Sequence, residues 1–221
     1  MGEMIQLTAS DGHQLSAYRA EPDHAPKAGI VIVQEIFGIT NHIQAVADEY
    51  ASHGYLAIAP AMFDRIRAGV TLDYAEIDEA RGLMMQLNLE NAVSDMAAAA
   101  DAVRIAGKVA VIGYCWGGAM ADLAACRISV DAAVAYYGRM IVEWLDLSPA
   151  CPVMYHFGET DPLIPAEMVE QIRASRPDGI FHTYPGAGHG FNCTERADFE
   201  PDSAALALQR TLAFLNNSAG T

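Results

Sequence analysis

The stretch that most constrains this chain is an abrupt change of period at its middle. Residues 108–112 form a short apolar run of strand type, Trp116–Arg127 has the length and composition of a helix, and Gly113-Tyr114-Cys115-Trp116-Gly117 joins the two. A strand-to-helix joint this tight, with glycine two residues either side of a cysteine, is the pattern of a nucleophile elbow with Cys in place of Ser. Side chains at the flanking positions would collide with neighbouring backbone, and glycine removes the Cβ that collides. The helix N-terminus points at the sulfur and favours a thiolate. The backbone N–H of Trp116 is placed to donate to a developing oxyanion. Two other glycine-loop readings fail. A phosphate loop would follow Gly118 with Lys and Ser or Thr, where this chain has Ala119-Met120. A dinucleotide fingerprint needs GxGxxG after an early strand, and Gly113–Gly118 lacks the second glycine. Taken alone, Cys115 could equally be a small buried hydrophobe, the usual fate of a free cysteine. Cys126, Cys151 and Cys193 lack the elbow context and keep that plainer reading.

The rest of the chain alternates in the same way. Residues 5–9 and 14–20 read as two strands around the turn Ser10-Asp11-Gly12. Residues 28–34 are a continuous run of the kind buried on both faces of a sheet. Helical spacing follows over 41–53, then a strand over 55–59, a loop-like stretch over 60–72, and an Ala-rich helix over 88–106. Beyond the elbow come strands at Ala132–Tyr136, 152–157 and Ile180–Tyr184, with helices over 165–175 and 202–216. Strands separated by helices predict right-handed crossovers and a mostly parallel sheet flanked by helices, in one α/β domain over residues 1–221. The formal net charge of −15 argues against nucleic acid and anionic membrane as partners. No apolar stretch approaches the roughly 18 residues of a membrane span. The N-terminus has no signal-peptide pattern, and four cysteines without a CxxC read as reduced thiols in the cytoplasm.

An acid and a histidine follow the cysteine in useful places. Asp161 lies in the polar loop Gly158-Glu159-Thr160-Asp161-Pro162, at the end of the strand over 152–157. His189 lies in Pro185-Gly186-Ala187-Gly188-His189-Gly190, at the end of the next strand. Asp before Pro is a common turn former, and a glycine-flanked histidine can be a mere exposed loop tip. Both at strand ends, in the order nucleophile, acid, histidine, read instead as a triad. His189 would take the thiol proton and later activate water, while Asp161 fixes its tautomer and stabilises the imidazolium. The other six histidines show no metal-ligand spacing, so no metal site is expected.

With these residues placed, the chain resembles the dienelactone hydrolase family over nearly its whole length. The resemblance is carried by Gln34-Glu35-Ile36-Phe37-Gly38, the elbow at Cys115, Tyr136-Tyr137-Gly138, the Asp161 loop and Gly188-His189-Gly190-Phe191. It implies an α/β-hydrolase fold without a large lid domain, acting as a cofactor-free monomer on small enol lactones from the breakdown of aromatic compounds. It also implies that Glu35 contacts the nucleophilic thiol and helps switch it to thiolate. The oxyanion donors carry over to the N–H groups of Ile36 and Trp116, and Phe37 and Tyr137 to the substrate-binding wall. The family holds a substrate carboxylate with two arginines. Arg65 matches the first; the second position is Cys193, with Arg196 three residues further on.

The nucleophile narrows the substrate by itself. A thiol with an ordinary pKa near ~8.5 leaves far more readily than an alkoxide, whose parent resembles water at about 15.7. On a plain alkyl ester the tetrahedral intermediate would expel the thiolate and return to substrate. An enol ester, aryl ester or thioester reverses that preference. The expected partner is therefore a small ester or lactone with an activated leaving group. A broad carboxylesterase or thioesterase, and a non-catalytic binding protein or thiol sensor, remain as alternatives.

Overall fold

The computed structural model describes residues 2–218. Two short strands, β1 (Glu3–Thr8) and β2 (Gln14–Ala20), form the expected antiparallel hairpin. Six strands follow: β3 (Gly29–Val33), β4 (Leu56–Pro60), β5 (Val109–Tyr114), β6 (Ala132–Tyr136), β7 (Val153–Gly158) and β8 (Ile180–Tyr184). They assemble into one eight-stranded sheet of order β1-β2-β4-β3-β5-β6-β7-β8, parallel from β4 to β8. Every residue of β3, β4, β5, β6 and β7 is buried, which is why these strands read as unbroken apolar runs.

Helices α1 (Asn41–Ser52), α3 (Leu89–Val103), α4 (Trp116–Arg127), α5 (Ala166–Ser175) and α6 (Pro201–Ser218) lie where helical spacing places them, with ends shifted by a few residues. Thr40 and Asn88 cap α1 and α3 by accepting from the amides of Ile43 and Asn91. One helix is an addition to the sequence reading: α2 (Ile77–Met84), after the loop over 60–72. It has eight residues, no side-chain N-cap and a glycine in its last turn, so no start or stop signal marks it. No helix of the described residues is long and apolar enough to cross a membrane.

Register positions the chemistry. Val33 pairs with Gly113, Tyr114 with Tyr136, Tyr136 with His156, and Gly158 with Tyr184. The C-terminal ends of β3, β5, β6, β7 and β8 are thereby drawn into one row, and the loops that leave them open on one edge of the sheet. At the opposite edge a buried pair ties the layers together. Arg176 donates through Nε and Nη2 to Asp122 at 3.0 Å each, and Asp122 also accepts from Trp144 and Tyr155.

Candidate active site

Cys115 stands at the joint of β5 and α4 with φ 58° and ψ −117°, a left-handed conformation that costs a non-glycine residue strain. The strain is held by packing on both sides. A Cβ on Gly113 would strike the carbonyl of Gly117, and one on Gly117 would strike the carbonyls of Val33 and Gln34. Only glycine lets α4 start this close to β3 and β5. The Trp116 amide, at the first helical position, has no intrahelical acceptor. Neither it nor the Ile36 amide donates to another acceptor among the described residues.

His189 connects the other two members. Its Nε2 lies 3.2 Å from the Sγ of Cys115, and its Nδ1 lies 2.7 Å from a carboxylate oxygen of Asp161. The second Asp161 oxygen accepts from the Leu163 amide at 2.8 Å, which fixes the carboxylate's plane. Burial pulls the imidazole pKa down, but the bonds to Asp161 and Cys115 outweigh it and raise the pKa to about 10. The other three thiols have no such partner. Burial pushes Cys126 and Cys151 up to about 11 and Cys193 up to about 12.

Glu35 is buried near this set, with 1% of its surface exposed. Neither of its oxygens accepts a hydrogen bond, and the guanidinium of Arg196 lies 3.7 Å away. Burial raises its pKa, and the charges of Arg196 and His189 oppose that rise. Glu35 accepts no hydrogen bond from the thiol here: Cys115 bonds to His189, and Arg196 is the cation beside the carboxylate. Arg196 reaches it past Gly190 (φ +80°), where a Cβ would come within 2.8 Å of the Arg196 Nε. Cys193 is buried and donates to the Tyr74 hydroxyl at 3.1 Å, so it takes no part in the cavity wall.

The cavity over Cys115 has a volume of about 570 Å³. Ile36, Phe37, Trp116, His189 and Arg196 line it as the sequence suggests, together with Arg81 from the unanticipated α2, Met85 just past its end and Arg139 from the segment after β6. Two expectations need correction. Arg65 does not reach this cavity: its guanidinium is held by Asp95 at 2.8 Å and by Asp11 at 2.7 Å, locking the first hairpin to α3. Tyr137 is fully buried and absent from the wall: its ring packs beneath the site among Tyr114, Tyr136 and Phe191, 5.2 Å from the His189 ring. A second cavity of about 410 Å³ opens at the other ends of β7 and β8 and contains none of these residues.

The sequence pattern of the dienelactone hydrolase family matches residues 15–219. The chain is 34% identical to a carboxymethylenebutenolidase of Pseudomonas putida, covering 96% of this chain and 95% of that one. It is 30% identical to carboxymethylenebutenolidase 1 of Cupriavidus pinatubonensis, covering 97% of each. A crystal structure from Klebsiella pneumoniae, 30% identical, superposes with a TM-score of 0.81 over 96% of this chain and 98% of the other. These matches span the sheet, the elbow and both later loops. The chain belongs to the dienelactone hydrolase family and is a carboxylic ester hydrolase.

Proposed function

We propose that this protein hydrolyses a small lactone with an activated, enol-type leaving group through a thioester on Cys115. The observation that carries the reading is His189 held between Cys115 and Asp161, at 3.2 and 2.7 Å. His189 Nε2 accepts the thiol proton, and the thiolate attacks the acyl carbon. The carbonyl electron pair moves to oxygen, where the amides of Ile36 and Trp116 donate to it. The intermediate collapses, the acyl–oxygen bond breaks, and the imidazolium returns its proton to the leaving enolate. His189 then deprotonates a water that attacks the thioester. Collapse releases the carboxylic acid and the thiolate, which regains the proton. Asp161 holds the imidazole's tautomer throughout. Arg81 and Arg196 on the cavity wall suit a substrate carboxylate, which agrees with the names of the relatives. The cavity's volume and the apolar Cys193 at a position the family uses for arginine favour a second reading, a hydrolase of larger activated esters or thioesters.

The test is to mix the protein with a slowly deacylating aryl ester and weigh the intact chain. One acyl group should appear on Cys115, be removed by hydroxylamine, and be absent in Cys115→Ala. That variant should lose at least roughly 10³-fold in kcat. One equivalent of iodoacetamide should label Cys115 before Cys126, Cys151 and Cys193, whose thiols stay protonated at neutral pH. Full activity in Cys115→Ala would sink the reading.

A further inference from the structure

The wall of the cavity over Cys115 divides by depth. Ile36, Phe37, Trp116 and His189 are exposed by 9% or less and form its floor, with the imidazole and the two oxyanion amides. Ile77 at 41%, Leu163 at 42% and Met85 at 80% line the same cavity and form its rim. Met84 and Met140 also line it and are half-buried. Arg81 and Arg139 are the exposed charges of this otherwise apolar rim. Eight large apolar side chains are exposed among the described residues. Five of them, Met4, Leu89, Ile105, Ile180 and Leu206, stand on five different elements. The other three gather at this one opening, from two segments far apart in sequence. Exposed apolar surface gathered at an opening marks a binding surface, whereas single exposed side chains are ordinary.

Helix α2 shows how the rim is made. Ala80 and Leu83 are buried and hold the helix to the core. Ile77, Arg81 and Met84 recur at intervals of four and three, which sets them along an adjoining face, and all three line the cavity. The helix thus uses one apolar face for its own packing and turns a second toward the cavity. The three methionines there suit a variable occupant, because an unbranched, polarisable side chain adapts to apolar groups of different shape. The volume of about 570 Å³ leaves room beyond the reacting group.

We propose that the substrate is an activated ester, thioester or lactone bearing an uncharged apolar chain or ring of several carbons. That group lies against Ile77, Met84, Met85, Met140 and Leu163 while the acyl carbon sits at Cys115. The proposal rests on the cysteine-hydrolase reading above and adds the class of substrate to it. Selection for the apolar group comes from burial of its surface, so each methylene that reaches the rim adds to transition-state binding.

Two homologous series test it. p-Nitrophenyl esters from acetate to hexanoate lengthen the acyl portion, and S-alkyl thioacetates from ethyl to hexyl lengthen the leaving portion. In at least one series kcat/KM should rise about twofold to fourfold per added methylene, and the series that rises identifies the portion that meets the rim. Ile77→Ser combined with Met85→Ser should cut the ratio of longest to shortest substrate by about fivefold to tenfold in that series. Met85→Leu should keep the ratio, since it conserves the apolar surface. Ile105→Ser removes a side chain that is 86% exposed and lies outside this cavity, so it should leave the ratio unchanged. A flat dependence in both series overturns the proposal. So does a ratio unmoved by the double variant, or one lowered as much by Ile105→Ser. The underlying reading fails separately, if Cys115→Ala cleaves p-nitrophenyl acetate at the wild-type rate.

Discussion

Arg196 lies 3.7 Å from Glu35 because Gly190 leaves it room. The Nε of Arg196 occupies the space a Cβ at position 190 would need, at 2.8 Å. An arginine six residues further along the loop thus reaches the buried carboxylate, although Cys193 stands where the family places a second arginine.

Gly190→Ala should therefore act on Arg196. The new methyl group displaces the guanidinium, and the left-handed φ of +80° adds a cost of about 1–2 kcal/mol in stability. The expected kinetic outcome is a roughly tenfold loss of kcat/KM for a carboxylate-bearing lactone, with a neutral aryl ester much less affected. Combining Gly190→Ala with Arg196→Ala should add little for the lactone. Additive losses in that double-mutant cycle would show that the two positions act separately.

Glu35 gives a pH prediction with a definite sign. Burial raises its folded pKa above 4.5, so above pH 4.5 the native state holds a proton that the unfolded chain has released. Its contribution to stability is complete below pH 4.5 and declines as pH rises through the folded pKa. Glu35→Gln removes that decline. The variant should match the wild type in denaturant midpoint near pH 4 and exceed it near pH 7. It should also turn over more slowly and change the alkylation rate of Cys115, since the carboxylate's charge bears on His189. Parallel pH–stability curves for the two proteins would remove Glu35 from this account.

Arg65→Ala should damage the fold and spare the chemistry. Its loss leaves the buried carboxylate of Asp95 without a counter-ion and frees Asp11 in the first turn. A cost of about 2–4 kcal/mol is expected in urea unfolding, with kcat/KM for a carboxylate-bearing lactone within about twofold of wild type. A selective loss of lactone activity at unchanged stability would return Arg65 to the substrate.

What was legible in the sequence is what depends on neighbours along the chain. The Cys115 elbow, the Asp161 loop and the His189 loop each carry their glycine or proline signals within five or six residues, and the register of the sheet joins them. Arg65 was misread because its partners are distant: Asp11 is 54 positions before it and Asp95 30 after it. No local pattern distinguishes an arginine that grips two acids from one that waits for a substrate. The same holds for Arg81 and Met85, in and just after a helix too short to announce itself and without a side-chain cap. Tyr137 falls between the two cases, since its motif is local but its ring is buried partly by the distant Phe191.

The row of strand ends on which the site stands has a consequence for how such a protein can change. Glu35, Cys115, Arg139, Asp161 and His189 each follow a different strand, and every one of those strands is pinned by its own ladder. A loop can be lengthened, shortened or recoded without its alteration travelling through the packed layers beneath. Libraries that vary the segments around residues 77–85 and 139–140, holding the loops of Glu35, Cys115, Asp161 and His189 constant, would explore new substrates while inheriting the same reacting atoms.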